Sequence, residues 1–430
     1  MSYVFRVSLC LGIFSAAVLA QEPAQRQLLT LDDLIQRALE RNRDISALRQ
    51  RVAEAQGLVR QAGTRPAPTV EVSGSSGRPL ATKGEEEFSA GYFYPIETAG
   101  KRQKRVRVAE KDVQLAEAEL AERVRQVTAE LRTRFIDAVA EQRKLDAIDG
   151  LLQVNREALR LTQARVKQGD VAPLERDLLA VEVGRAEAQR SPILGRVTAA
   201  LLDLRRIASL DPSEALAPRE LPLAPVALRL EDLREHALKT RPDLLMARLL
   251  EEQGSASVDL AEAEGKPNLT LAARYARRNS RFDDQLGFTP SGALTQLFDR
   301  DDILTVGISI PLLNRKRNLG NIEAAEARFA GARLRRQYLE AAIPLEVMAA
   351  WERYMAARRA VEIYDRGVVE QSEKNLAVVR GAYNLGQLRI LDVLNEQRRL
   401  IDTQLGAIDA RAEEARALTD LVQTLGGTLP

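Results

Sequence analysis

The sequence predicts a mainly α-helical protein with a smaller share of membrane-type β-structure, built from a helix–strand–strand–helix–helix unit used twice. Three observations predict it. Ala, Leu, Arg and Glu dominate the 430 residues, with 29% charged and only 4% aromatic, a composition of long helices rather than of one large core. The chain also resembles itself across its midpoint. Finally, four segments alternate apolar and polar residues with period 2.

In chain order, residues 1–20 read as a secretory leader. Arg6 supplies the positive start, residues 7–19 the apolar stretch, and Ala20 the small residue before cleavage. Cys10 lies inside the leader behind the bulky Leu9, which makes it a poor lipidation site. The mature chain is therefore expected to lack cysteine, disulfides and thiolate ligands. No later stretch approaches 18 consecutive apolar residues, so any membrane crossing falls to strands. The 63 basic residues nearly balance the 61 acidic ones, which gives no reason to expect a nucleic-acid partner.

The first repeat covers 21–210 and the second 229–430, joined by the Pro-rich linker "DPSEALAPRELPLAPVAL" at 211–228. "TLDDLIQRALERNRDI" (30–45) matches "RLEDLREHALKTRPDL" (229–244), Pro68 meets Pro267, and Gly169 meets Gly386. Each half thus orders one helix, two strands, a long helix, a glycine break and a helix. Val106, Ala109, Val113, Ala116, Leu120, Val124, Val127, Leu131 and Phe135 recur at steps of three and four, one face of an α-helix. A continuous helix over 100–168 would be about 100 Å long. Its counterpart over 318–385 is expected to kink at Pro344.

Strands are expected at about 68–78 and 87–97, then at about 267–278 and 303–313. In "ILTVGISIPLL", Leu304, Val306, Ile308 and Ile310 share one face against Thr305, Gly307 and Ser309. Soluble hairpins with one wet face give the same alternation. In lipid, four strands cannot close a barrel or leave edges unpaired, so copies would have to share one. Two copies give 8 strands and three give 12. An exported coiled-coil tether without a pore is the alternative from a different functional class.

The segment "YNLGQLRILDVLNEQ" (383–397), with the leader and the duplicated units, resembles the TolC family of outer-membrane efflux channels over about 29–425. "PIETAGKRQKRVRVAE" (95–110) and "RVKQGDVAPLERDLLAVEV" (165–183) are similar to its CzcC-like branch, the outer-membrane partners of resistance-nodulation-division heavy-metal exporters. The resemblance implies a homotrimer with a trimeric α-barrel in the periplasm and a shared 12-stranded β-barrel in outer-membrane lipid. Its partners would be a periplasmic adaptor (membrane fusion) protein and an inner-membrane resistance-nodulation-division pump. The implied function is an exit channel with heavy-metal cations as cargo, a multidrug or type I secretion channel being the alternative of the same fold.

The resemblance also implies site residues. Hairpin tips at about 169–173 and 385–390 would meet the adaptor through Gly169, Asp170 and Val171, and through Leu385, Gly386, Gln387 and Leu388. Asp392 and Asn395 would line the pore constriction. Asn395 departs from the family's doubly acidic pattern, so the carboxylate ring should be weaker. Without the resemblance, Asp392 reads as a solvated helix residue. Glu175 and Tyr383 would form polar links that hold the pore shut. No catalytic residues, cofactor or resident metal site are expected, because the lone His236 can complete neither a Ser/His/Asp set nor a soft-metal site. His236 itself is expected to be exposed, and the run Lys101, Arg102, Lys104, Arg105, Arg107 to be a solvated face.

Overall fold

The computed structural model describes residues 30–77, 85–211, 214, 216, 218, 229–311 and 318–429. The expected leader and most of the linker lie outside the described residues.

The first repeat opens with α1 (Leu31–Arg41) and α2 (Arg43–Ala62), two helices where the pattern suggested one. Asn42 makes the difference: its side chain accepts the N–H groups of Asp44 and Ile45 at 2.9 and 3.3 Å, capping α2 and ending α1. Thr30 starts α1 by reciprocal capping with Asp33. The second repeat opens in the same way with α5 (Leu230–Thr240) and α6 (Pro242–Glu264), where Pro242 takes the first helical position and has no N–H to leave unpaired. Leu34, Ala38 and Ile45 correspond at one offset to Leu233, Ala237 and Leu244, and all six are buried. The first set packs with Leu131, Phe135 and Leu204, the second with Ile343, Val347 and Leu421. Burying each large apolar side chain contributes about 1.5–3 kcal/mol. The duplication therefore reaches the packing of the core.

Strands β1 (Thr69–Ser76), β2 (Glu85–Ile96), β3 (Leu269–Phe288) and β4 (Leu294–Ser309) form one antiparallel sheet in chain order, with β1 and β4 at its edges. The register aligns the apolar alternations on one face: Val70 lies opposite Tyr92, Tyr92 opposite Ala273, Ala273 opposite Val306, and Leu271 opposite Ile308. Val70, Val72, Phe88, Tyr92, Leu304, Val306 and Ile308 on that face are exposed. The other face carries the ion pairs Glu71–Arg274 and Glu87–Arg278, at 3.3 and 3.0 Å. An apolar outer face over a charged inner face is the pattern of a barrel wall in lipid. Among the described residues, no helix is long and apolar enough to cross a membrane.

The expected bounds of the second strand pair need correction. β3 continues to Phe288, β4 begins at Leu294, and β4 ends at Ser309, while residues 312 and 313 lie outside the described set. Beyond the pairing of Glu85 with Ser280, β3 and β4 go on, among the described residues, as a two-stranded ribbon. Among the described residues, neither face of that ribbon meets another layer, so no buried alternation marks it in the sequence.

The long helices follow the sheet. α3 (Lys101–Gln168) has 68 residues, about 100 Å at 1.5 Å per residue, and returns as α4 (Pro173–Ala208). Its counterpart is divided into α7 (Leu319–Ile363), a π-helical turn (Tyr364–Val368) and α8 (Val369–Asn384), which returns as α9 (Ile390–Thr424). α7 runs through Pro344, flanked by the fully buried Ile343 and Val347, and a further interruption, unmarked by proline, falls at Gly367, with φ +107°. The basic run at 101–107 is not simply a solvated face. Lys101 is buried, and its Nζ donates to the Lys266 carbonyl and to Asn268 Oδ1 at 2.5 and 2.6 Å. Lys104 donates to the Asp259 carbonyl, and Arg105 pairs with Glu97. These bonds staple the sheet to the helices.

Candidate functional site

The two glycine breaks form one kind of turn. Gly169 and Gly386 have φ of +82° and +74°, the left-handed region that a side chain disfavours. At the first break, the Gly169 N–H reaches the Val166 carbonyl at 3.1 Å and the Asp170 N–H reaches that of Arg165 at 3.0 Å. At the second, Gly386 bonds to Tyr383 and Gln387 to Ala382, both at 2.9 Å. This pair of bonds is the Schellman motif, which satisfies the last helical carbonyls and lets the chain reverse. Val171 and Leu388 continue these turns, and Leu385 and Leu174 expose apolar side chains beside them.

Both return helices carry an acid six residues past the glycine, in the first turn. Acids there complement the helix dipole. Glu175 and Asp392 are repeat equivalents, yet their partners differ. Glu175 reaches outside its helix: the Tyr383 hydroxyl on α8 donates to Glu175 Oε2 at 2.7 Å. Burial, this hydrogen bond and the Glu175 charge push the Tyr383 phenol up to about 12, so it stays protonated and donates. Asp392 folds back instead, its Oδ2 accepting the Arg389 N–H at 2.9 Å. Asp392 and Asn395 share an exposed face of α9 beside the buried Val393 and Leu394.

Further ties lie above the tips, and sequence reasoning missed them. Gln397 Nε2 on α9 donates to Asn155 Oδ1 on α3 at 2.9 Å, with both side chains buried. Arg398 pairs with the buried Glu182 on α4, Nε to Oε2 at 3.3 Å. The available signal was a polar residue inside an apolar stripe: Gln397 interrupts Val393, Leu394 and Ile401, and Asn155 follows Leu145, Ile148 and Leu152. The α8–α9 hairpin is thus tied to the α3–α4 hairpin at Tyr383, Gln397 and Arg398.

His236, expected to be exposed, is partly buried on α5, and its Nε2 has no hydrogen-bond partner among the described residues. Among those residues, no three His, Cys, Asp or Glu side chains gather as a metal site.

A profile of the family described as "Outer membrane efflux protein" matches residues 34–209 and 233–427, one block in each repeat. The chain is 23% identical over 405 residues to the cobalt-zinc-cadmium resistance protein CzcC of Cupriavidus metallidurans, covering 93% of this chain and 90% of the relative. It is 24% identical over 430 residues to the pyoverdine export outer membrane protein OpmQ of Pseudomonas aeruginosa, covering 92% and 85%. Among solved structures, the outer membrane protein VceC of Vibrio cholerae superposes with a TM-score of 0.71 at 21% identity, over 92% of this chain and 96% of that one.

Proposed function

From the premise that the chain belongs to the outer membrane efflux protein family, as an outer-membrane channel reaching into the periplasm, we propose that three copies form the exit duct of a tripartite efflux system for heavy-metal cations. The observation that carries this reading is the division of labour along one chain. At one end stands a four-stranded sheet with an apolar outer face and two open edges. At the other end, helices about 100 Å long finish in two matching Schellman turns.

In lipid the open edges demand partners, and β4 of one copy pairing with β1 of the next closes the wall. Twelve strands follow from three copies. The tips are the docking surface for a periplasmic adaptor, with Gly169, Asp170 and Val171 on one hairpin and Leu385, Gly386, Gln387 and Leu388 on the other. The adaptor in turn links the duct to an inner-membrane resistance-nodulation-division pump.

Three α9 helices around one axis bring the exposed Asp392 and Asn395 faces toward the pore, where a carboxylate ring favours cations. The Tyr383–Glu175 bond and the ties at Gln397 and Arg398 hold α8–α9 against α3–α4 in the closed duct. Opening requires α8–α9 to swing, and the joint at Gly367 permits it. The metal cargo is supported by the similarity to a cobalt-zinc-cadmium resistance protein over nearly the whole chain. A siderophore cargo is the second reading, supported by the relative that exports pyoverdine.

Mass measurement in detergent tests the assembly, with a trimer expected, and a stable monomer removes the channel reading. Deleting the chain from its host tests the cargo. Sensitivity to cobalt, zinc and cadmium is expected, and unchanged metal tolerance overturns that assignment.

A further inference from the structure

The outer face of the β3–β4 ribbon changes character along its length. The turn joining β3 to β4 lies at the end of the sheet away from the helices, so with the helices in the periplasm this end faces the exterior. Toward the helices the outer face is apolar, through Leu271, Tyr275, Leu304, Val306 and Ile308. Two consecutive rows above this band carry charged residues. One reads Gly74, Phe88, Arg277 and Asp302 across the sheet, and the next reads Ser76, Glu86, Asn279 and Arg300. Arg281, opposite Phe298, follows.

Arg300 is the diagonal neighbour of both Arg277 and Arg281, and such neighbours lie about 7–8 Å apart. Three guanidinium groups therefore share one outward patch at the upper rim of the lipid band. Asp302 takes part of the charge of Arg277, Nε to Oδ1 at 2.7 Å, and also accepts from the Tyr275 hydroxyl. Glu86 is the other carboxylate in these rows, two strands away from Arg300. Arg281 and Arg300 are exposed and have no ion-pair partner among the described residues. Exposed Phe298 stands in the Arg281 row, and the same face continues beyond it with exposed Leu286 and Phe288.

Exposed aromatic rings at the rim fit any barrel wall at a membrane interface; what points to a ligand is the outward arginine triad beside them. Paired guanidinium forks match phosphate oxygens, and aromatic faces suit the C–H faces of pyranose rings. We propose that this patch, Arg277, Arg281 and Arg300 with Phe298 opposite Arg281, seats the phosphorylated sugar headgroup of an outer-leaflet glycolipid. Its acyl chains would lie along the apolar band below. The inference rests on the barrel reading above, because the sheet must stand in the outer membrane with its turns outside.

Native mass spectrometry of the full-length protein in mild detergent tests it, with titration by diphosphoryl lipid A, dephosphorylated lipid A and phosphatidylglycerol. Adducts with diphosphoryl lipid A are expected. They should weaken by about tenfold or more in Arg281→Ala/Arg300→Ala, since each lost charge-assisted bond is worth at least about a factor of ten. Arg281→Lys/Arg300→Lys should restore most of the binding, and Arg274→Ala, on the inner face, should leave it intact. Equal binding of dephosphorylated lipid A, equal binding of phosphatidylglycerol, or no loss in the double alanine variant each overturns the proposal. Should that variant fail to assemble, the comparison of phosphorylated with dephosphorylated lipid on the native sequence decides alone. Failure of the channel reading is seen separately, as a monomer or as absent conductance.

Discussion

The two repeats share an order of elements, a core and a turn, yet they differ in stiffness and in how their tips are held. The long helix of the first repeat, α3, runs unbroken for 68 residues. That of the second is jointed at Tyr364–Val368, where Gly367 takes φ +107°. At the tips the equivalent acids part ways: Glu175 accepts from the neighbouring hairpin, while Asp392 caps its own helix. Duplication supplies the same parts twice; under the opening proposed above, the unbroken α3 would be the frame and the jointed α7–α8 the moving member.

The largest expected effect tests the joint. Gly367→Val forces a β-branched residue into the left-handed region and should destabilise the helical portion by about 1–3 kcal/mol. Gly150→Ala, in the unbroken α3 with open space around it, should instead stabilise by about 0.5–1 kcal/mol. Thermal unfolding followed by circular dichroism reads both, and the same sign for the two would remove the contrast between stiff and jointed helices. Next come the tips. A Cβ on Gly169 or Gly386 meets nothing within 4 Å, so only backbone strain is expected, about 1–2 kcal/mol for valine at either site. Asparagine should be tolerated at both. A penalty at one tip only would mean that the turns are not equivalent.

Smaller effects separate the two acids. Tyr383→Phe removes one hydrogen bond to a carboxylate, about 1 kcal/mol in this partly exposed place, and should raise the open probability in single-channel recordings. Asp392→Asn should leave that probability alone and lower cation preference, most at low salt where screening is weakest. Asp177, whose side chain accepts from Arg176, is the control. Equal effects of Asp392→Asn and Asp177→Asn on selectivity would return Asp392 to the status of a capping residue alone.

The smallest effect is in pH, and its sign differs between the ends of the molecule. The Tyr383 phenol is raised from its ordinary 10.0 to about 12, so its contribution is constant below pH 10 and falls as pH rises toward 12. Glu97, beside the sheet, is held below its ordinary 4.5, first by its hydrogen bond with Arg105 and then by the surrounding positive charge, against the cost of burial. Its contribution is present above pH 4.5 and is lost as pH falls through the lowered value. Channel leak against pH should therefore rise at the alkaline end, with unstapling of the sheet from the helices confined to the acid end. Leak that begins near neutrality would exclude the Tyr383 bond as its cause.

Much of the architecture was legible in the chain. Steps of three and four from Val106 to Phe135 mark α3, and the match of Gly169 with Gly386 marks the tips. Period 2 in "ILTVGISIPLL" marks the outer face of β4. Each of these signals is carried by neighbours in sequence. Where no face was buried the signal vanished, as in the β3–β4 ribbon past Ser280. Where backbone geometry broke a helix without a proline it gave no warning, as at Gly367 in the π-helical turn.

Sequence alone therefore determined the duplication, the long helices, the turns and the alternating strands, because helix periodicity, glycine at positive φ and strand pleat are local properties of the backbone. Tertiary structure alone decided which polar groups meet. Tyr383 and Glu175 are 208 positions apart, Arg398 and Glu182 216, and Gln397 and Asn155 242. The same holds for the row that places Arg277 beside Asp302, and for Lys101, which left the solvated face for a buried staple. No local rule relates such residues. Their encounter depends on the helix crossings and strand registers set by burying the apolar faces of both repeats at once.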